Sequence, residues 1–211
     1  MASLNPLLVL SAAPFEAQPL LELLSTHKLS YEYMSFGIGS IASAWGAQNL
    51  ADKCRGRHVL ILGSAGCFYP FQSPYLIKTN TIFWRPRCVS EKLSELIEGQ
   101  ELPWTSNSKS LLSFPIASAD VYTTPGISVS PSDIIDSKIV ENLEMYSLLP
   151  IYLAAKTFDA FLVITNSVGP EGRNLWKDHF KVGAQLTAQT LLPHLIASPL
   201  IASPQLKADP I

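Results

Sequence analysis

The chain has 211 residues, of which 47% are hydrophobic and 15% charged, and its formal net charge is −2. This length and composition suit one well-cored domain better than two small ones. The near-neutral charge, a pI near 6.1 and the absence of any lysine- or arginine-rich run exclude the electrostatic footprint of a protein that binds nucleic acid or an anionic membrane. We therefore expect a single domain over residues 1–197.

The number and spacing of the cysteines and histidines indicate neither a set of disulfides nor a metal site. Cys54, Cys67 and Cys88 are odd in number and contain no Cys-x-x-Cys pair, which favours free thiols in a reducing compartment. The four histidines are scattered without zinc-ligand spacing, so we predict no metal and no cofactor. The apolar segment 7–10 is too short for a signal peptide, and no run approaches the ~18 residues that span a bilayer. We expect a cytoplasmic protein.

Strand and helix patterns alternate in the first third of the chain. Apolar or β-rich runs predict strands over 6–10, 31–36 and 59–62, and patterns with helical spacing predict helices over 15–24 and 40–53. The continuous apolar character of the strands is typical of strands covered on both faces. This alternation predicts an α/β layered fold.

The remainder of the chain is less regular. We predict strands over 75–83, 114–122 and 161–165, helices over 89–97, 137–156 and 175–196, and a loop over 99–113. Pro150 should kink or divide the helix over 137–156. Residues 195–199 repeat at once as 200–204, and because the two prolines of this repeat stop a helix, residues 198–211 are predicted to be a frayed tail.

Two polar residues fall where an apolar core would exclude them. Asn166 follows the buried-looking strand 161–165 at its carboxyl end, and Glu144 lies at the head of an apolar helical segment. Ligands bind at the carboxyl ends of strands in parallel sheets, so the pair indicates a ligand site. The structural alternatives are an asparagine that closes a turn and a glutamate that caps a helix.

Five short motifs occur in a familiar order. They are Leu-Val-Leu-Ser-Ala-Ala-Pro-Phe-Glu at 8–16, Ser-Phe-Gly-Ile-Gly at 35–39, Gly-Ser-Ala-Gly at 63–66, Leu-Glu-Met at 143–145 and Ile-Thr-Asn at 164–166. Together they resemble the purine nucleoside phosphorylase and nucleosidase superfamily, and within it methylthioadenosine/S-adenosylhomocysteine nucleosidase and futalosine hydrolase. The resemblance covers nearly the whole chain except the tail. It implies a three-layer α/β sandwich, with a central mixed, largely parallel sheet flanked by helices.

The resemblance also implies roles for particular residues. Glu16 would polarise the attacking water, Glu144 would accept hydrogen bonds from the ribose hydroxyls, and Asn166 would face the purine. The other substrate-binding residues that it implies are Ser64, Ala65, Gly66, Ile127, Leu143 and Trp176. Each residue also has a structural explanation, such as a glutamate in the first turn of a helix, a tight turn or a core tryptophan.

Two positions depart from the family pattern. Nucleosidases of the family carry an aspartate at the position of Asn166 as the proton donor to purine N7, and an asparagine has no proton to give. Three explanations are compatible with the asparagine: a preference for oxopurines, a weaker catalyst, or an engineered substitution. The sequence does not distinguish between them. Leu162 stands where many adenosine-type enzymes place an arginine, which argues against phosphate as the nucleophile and favours the futalosine branch.

The resemblance implies an N-ribosyl hydrolase that acts on a purine nucleoside with a 5' substituent. Futalosine or 6-amino-6-deoxyfutalosine is the first choice, with a place in menaquinone biosynthesis, and methylthioadenosine or S-adenosylhomocysteine is the second. The alternatives are a phosphorylase, for which Arg85 and Arg87 are the nearby cations, and a degenerate nucleoside-binding protein. The family also implies a homodimer whose partner subunit supplies part of the 5' pocket.

Overall fold

The computed structural model describes residues 6–84, 103–110, 112, 115–128 and 138–198, and the strands within them form one mixed sheet. The strands are β1 (Leu7–Ser11), β2 (Tyr31–Ser35), β3 (His58–Cys67), β4 (Tyr75–Trp84), β5 (Trp104–Thr105), β6 (Ser118–Thr123), β7 (Ile139–Asn142) and β8 (Thr157–Ser167). The α-helices are α1 (Pro14–Thr26), α2 (Ser40–Cys54), α3 (Leu149–Ala154) and α4 (Gly172–Ala197). Short 3-10 helices cover Ser106–Lys109 and Met145–Leu148.

The sheet combines an open parallel part with a closed ring. Strands β2, β1, β3 and β8 are parallel neighbours in that order. From β8 the sheet continues through antiparallel β4, then β6 and β7, and β7 returns antiparallel to the end of β3. Strands β3, β8, β4, β6 and β7 therefore close on themselves, while β5 pairs with β4 outside the ring.

The predicted α/β class and the mixed sheet with flanking helices are confirmed, but part of the sheet closes on itself, which the expected three-layer sandwich did not include. The cause is the length of β3, which offers one edge to two partners in succession. Its first half pairs with β1 over Val59–Leu62, and its end pairs with β7 at Gly66 and Cys67. The sheet can therefore curl away from β1 and close.

Side chains alternate between the two faces of a strand, so strands that are apolar throughout give the sheet two apolar faces. Helices cover both of these faces. Leu8 and Leu10 of β1 face a core shared with α2, α3 and the 3-10 helix Met145–Leu148. Leu7 and Val9 face the opposite core, which α1 and α4 complete. This two-sided burial explains why the strands read as continuous apolar runs in the sequence.

Several predicted elements have different bounds in the structure. The expected helix over 137–156 is wrong in its first part, because Ile139–Asn142 is β7 and a 3-10 helix precedes α3. Pro150 lies in the first turn of α3, where the missing N–H costs nothing. The predicted loop 99–113 contains β5 and a 3-10 helix in its described part, and β6 begins at 118.

Two expectations concern residues that the structure does not describe. The predicted helix 89–97 and the tail from residue 199 lie outside the described residues. The single-domain organisation over 1–197 stays a prediction. In the described part of the chain, no helix combines the length and the apolar character that crossing a membrane requires.

Candidate active site

A cavity of about 380 Å³ lies where β1, β3, β7 and β8 end. Its volume falls within the range of small-molecule sites. The structure brings the nine residues selected from the sequence to this one cavity: Glu16, Ser64, Ala65, Gly66, Ile127, Leu143, Glu144, Asn166 and Trp176. The carboxyl ends of the parallel strands therefore provide the floor of the site.

Glu16 both caps a helix and lines the cavity. Helix α1 begins after Ala13, whose backbone N–H donates to Glu16 Oε2 at 3.2 Å. The other carboxyl oxygen, Oε1, accepts from the Ser64 hydroxyl at 3.3 Å. One carboxyl group therefore caps the helix with Oε2 and contacts Ser64 at the cavity with Oε1.

The surroundings of Glu16 disfavour its charged form. Burial and, second, the negative charge of Glu144 raise the pKa of Glu16 to about 8, against the hydrogen bonds from Ala13 and Ser64, which lower it. A carboxyl group with this pKa changes its protonation near neutral pH. This property suits a group that exchanges a proton with a bound water molecule.

Glu144 is held by two donors from different parts of the fold. The Gly39 N–H donates to Glu144 Oε1 at 2.8 Å, and the Asn142 amide donates to Oε2 at 2.9 Å. Gly39 has φ +81°, a left-handed conformation that favours glycine. Burial raises the pKa of Glu144, and both donors oppose that effect. The Gly-x-Gly motif before α2 therefore shapes the site through Glu144.

Asn142 is a site residue that the sequence analysis missed. Its side-chain amide donates to the Ser64 carbonyl oxygen at 2.9 Å as well as to Glu144. Its Oδ1 accepts from the backbone N–H groups of Glu144 and Met145, each at 2.8 Å. Asn142 therefore ties the end of β3 to Glu144 and caps the following 3-10 helix. Its place at the end of a strand was hidden because the segment was predicted to be helical.

Asn166 reaches the cavity through an irregularity in the pairing of β3 with β8. The register shifts between Ala65 and Gly66, so that Gly66 lies opposite Asn166. A Cβ on Gly66 would lie 2.8 Å from Asn166 Nδ2, so only glycine leaves room for the amide. A β-bulge of this kind changes the direction in which a side chain points, here that of Asn166.

The Asn166 amide has two partners in its own strand. Its Oδ1 accepts from the Thr165 hydroxyl at 3.0 Å, and its Nδ2 donates to the Ser167 carbonyl oxygen at 3.0 Å. The amide nitrogen carries two hydrogens, and the bond to Ser167 uses one of them. One N–H of the amide is therefore left for a ligand.

Trp176, on α4, borders the same cavity as Glu16. Its indole Nε1–H donates to the Ser64 hydroxyl oxygen at 3.1 Å. Its ring stacks on Phe180 with centroids 5.0 Å apart and meets the edge of Phe15 at 6.0 Å. The tryptophan is thus packed on one side and hydrogen-bonded into the site on the other.

Further cavity residues were not singled out from the sequence. They are Ala12, Ala13, Phe15, Ile38, Glu141, Asn142, Gly172 and Arg173. Arg173 is exposed and, among the described residues that line the cavity, carries the one positive charge. Leu162 lies in the apolar core and does not line the cavity. The arginine that the family places at this position therefore has no counterpart there.

No family model and no functionally curated protein matches the sequence. Solved structures do match it. The 5'-methylthioadenosine/S-adenosylhomocysteine nucleosidase of Helicobacter pylori superposes with a TM-score of 0.72 at 12% identity, over 92% of this chain and 99% of that chain. Native futalosine hydrolase of Helicobacter pylori superposes with a TM-score of 0.71 at 13% identity, over 92% of this chain and 98% of that chain.

A third similar structure holds a nucleoside. It is an aspartate-to-asparagine mutant of the Helicobacter pylori nucleosidase with 5'-methylthioadenosine in its active site, which matches with a TM-score of 0.70 at 13% identity, over 92% of this chain and 99% of that chain. At these identities the similarities establish the fold. The chain has the fold of the nucleosidases that its motifs resemble.

Proposed function

We propose that this chain is an N-ribosyl hydrolase that cleaves the N-glycosidic bond of a 5'-substituted purine nucleoside. The observation that carries the proposal is the meeting of Glu16, Glu144 and Asn166 around one cavity. These three side chains supply the groups that the reaction requires: a base for water, an acceptor for ribose hydroxyls and a partner for the purine. The nucleosidase fold supports the same reaction.

Glu16 is assigned to the attacking water. Departure of the purine builds positive charge on the ribose, and a water molecule must then attack the anomeric carbon. A general base works best when its pKa lies near the working pH, and the pKa of Glu16 is raised to about 8. The deprotonated form polarises the water and takes its proton.

Glu144 is assigned to the ribose. Each of its carboxyl oxygens already accepts one hydrogen bond, from Gly39 and from Asn142. A carboxylate oxygen has a second lone pair, so the group can still accept from two ribose hydroxyls. Its negative charge also stabilises the positive charge that develops on the sugar.

Asn166 is assigned to the purine. Its free N–H can donate to N7 or to a 6-oxo group, but an amide gives no proton to the departing base. The chain therefore carries a binding group where the family has an acid. A Helicobacter pylori nucleosidase with an asparagine in place of an aspartate holds 5'-methylthioadenosine in its active site, and Asn166 would likewise favour a bound nucleoside over a cleaved one.

The first-choice substrates are futalosine and 6-amino-6-deoxyfutalosine, which would place the enzyme in menaquinone biosynthesis in the cytoplasm. Methylthioadenosine and S-adenosylhomocysteine are the second choice. The preference rests on Leu162, which is buried in the core where adenosine-type enzymes have an arginine. Without that cation, water has to be positioned by Glu16 and Ser64.

We also propose a homodimer. Ile38, Ile41 and Trp45 are 61%, 86% and 76% exposed, and Ile41 and Trp45 line a groove with Trp84 and Tyr146. Ile38 also lines the cavity, so a partner subunit on this surface would reach the 5' side of the ligand. A dimeric mass by light scattering is expected, and a monomer at working concentration would contradict the proposal.

The test is a panel of nucleosides incubated with the protein and with its Asn166→Asp variant, with free base followed by chromatography. Release of hypoxanthine or adenine without phosphate supports the hydrolase. Release that requires phosphate and yields ribose 1-phosphate supports the phosphorylase alternative, whose cations Arg85 and Arg87 lie outside the described residues. Tight binding with no turnover by either form would identify a nucleoside-binding protein.

A further inference from the structure

Three polar groups from three elements form a continuous chain of hydrogen bonds beside the cavity. The Trp176 indole N–H of α4 donates to the Ser64 hydroxyl oxygen of β3 at 3.1 Å. The Ser64 hydroxyl donates to Glu16 Oε1 of α1 at 3.3 Å. The chain runs in one direction, from the indole to the carboxylate.

The direction follows from the chemistry of the three groups. An indole N–H only donates, and a charged carboxylate only accepts. The Ser64 hydroxyl has one hydrogen and two lone pairs, so the Trp176 N–H must occupy a lone pair and the hydrogen is directed to Glu16. A hydroxyl that accepts a hydrogen bond also becomes a stronger donor, because bonds in a chain polarise one another.

The indole is held firmly enough to impose this direction. It stacks on Phe180 at 5.0 Å and contacts the edge of Phe15 at 6.0 Å, while Phe15 and Phe180 contact each other at 5.2 Å. Apolar packing alone would be served by phenylalanine. Trp104 provides the contrast, because its buried indole N–H has no hydrogen-bond partner among the described residues.

We propose that Trp176 is a positioning residue: it acts through Ser64 to hold the serine hydrogen on Glu16 and so stabilises the deprotonated form of that glutamate. The inference deepens the proposed function, in which Glu16 is the base.

The other ionisable groups around Glu16 do not account for the same effect. Glu144 opposes the charged form of Glu16, and Tyr33 and Glu141 add no positive charge. Arg173 lines the cavity but is exposed, so solvent screens it. The hydrogen bonds from the backbone of Ala12 and Ala13 and from the Ser64 side chain are therefore the direct local contacts that favour the carboxylate.

The test measures the pKa of Glu16 directly, by carbon NMR of protein labelled at the glutamate carboxyl groups, with Glu16→Gln to assign the signal. Trp176→Phe keeps the ring and removes the N–H. Loss of the indole N–H weakens the hydrogen bond from Ser64 to Glu16 without removing it, so the pKa of Glu16 should rise by about 0.5 to 1, a three- to tenfold change in its proton affinity. Trp104→Phe makes the same chemical change at an indole N–H that has no hydrogen-bond partner among the described residues, and it should leave the pKa of Glu16 unchanged.

A double-mutant cycle with Ser64→Ala identifies the route. If Trp176 acts through Ser64, the double variant has the pKa of Ser64→Ala alone. No change in Trp176→Phe, an equal change in Trp104→Phe, or additive changes in the double variant would each overturn the proposal.

A measurement on the unmodified protein needs no stable tryptophan variant. The indole proton resonance of Trp176 should move with the same midpoint as the Glu16 carboxyl, and a resonance that stays constant through that midpoint would overturn the proposal. These titrations require no turnover, so they succeed or fail independently of the nucleoside panel.

Discussion

The two carboxyl groups of the cavity are held in different ways. Glu144 receives hydrogen bonds of 2.8 and 2.9 Å from Gly39 and Asn142, which lie on separate segments. Glu16 receives longer bonds of 3.2 and 3.3 Å, from Ala13 and Ser64. Burial raises the pKa of both carboxyl groups, but the short bonds favour the charged form of Glu144 more than the longer bonds favour that of Glu16.

This difference separates the two roles. Two carboxyl groups in one site can act differently when their surroundings stabilise the charge to different extents. In the proposed function, Glu144 accepts hydrogen bonds from the sugar, and Glu16, whose pKa is raised to about 8, exchanges a proton with water.

The largest expected effect is at the Glu16 end. In the Asn166→Asp background, Glu16→Gln keeps the shape of the side chain and removes the base, so kcat should fall by about 10³-fold or more. The dissociation constant for nucleoside, measured by calorimetry, should change by less than about threefold. A large loss of nucleoside binding with kcat preserved would contradict this assignment and give Glu16 the binding role that is assigned to Glu144.

The second expected effect is at the Glu144 end. Glu144→Gln replaces one acceptor oxygen by an NH₂ group that faces the Gly39 N–H or the Asn142 amide, and it removes the charge. Nucleoside affinity should fall by about 100-fold, because hydrogen bonds to charged groups contribute about 1.5–3 kcal/mol each. Glu22→Gln, on the exposed face of α1, is the matched control and should bind as the parent does.

The third prediction concerns the purine side. In Asn166→Asp, one carboxyl oxygen would face the Ser167 carbonyl oxygen, which now accepts from Nδ2 at 3.0 Å. That contact is favourable only if the carboxyl group is protonated. The protonated carboxyl group is also the form that can give a proton to purine N7. We expect turnover to rise at least about tenfold with affinity little changed. If the variant is no faster, asparagine is the native group and a 6-oxopurine becomes the better substrate.

The last expected effect is on stability and not on turnover or binding. The pKa of Glu16 is raised from 4.5 to about 8 on folding, so the folded state binds this proton more tightly than the unfolded state does. The resulting stabilisation is complete below pH 4.5 and is lost as the pH rises towards 8. Since one pKa unit equals about 1.4 kcal/mol, Glu16→Gln should be more stable than the parent by up to about 4 kcal/mol at pH 8 and equally stable near pH 4. Thermal melts across this range provide the measurement, and a destabilised variant at pH 8 would restore a purely structural role.

The sequence predicted the parallel strands β1, β3 and β8 because their burial on both faces leaves a continuous apolar run. It also predicted which polar residues meet at their carboxyl ends, since topology brings β1, β3 and β8 together there. The strand β7 was missed because its four residues, Ile139–Asn142, are too short to show an alternation and precede an apolar helical segment.

The finer geometry of the site depends on contacts between distant residues. The bond from Gly39 to Glu144 spans 105 positions, and the bond from Trp176 to Ser64 spans 112. No local pattern encodes such a pair. The Gly66–Asn166 contact likewise depends on a register shift between two strands, which periodicity does not reveal.

The central claim is that water, activated by Glu16, replaces the purine on the ribose. The most direct measurement is turnover of futalosine and methylthioadenosine by the Asn166→Asp variant in ¹⁸O-labelled water without phosphate, with mass spectrometry of the sugar product. The account predicts free base and one ¹⁸O atom at the anomeric carbon, and loss of both products when Glu16→Gln is added. Base release that needs phosphate, with ribose 1-phosphate as the product, would contradict it.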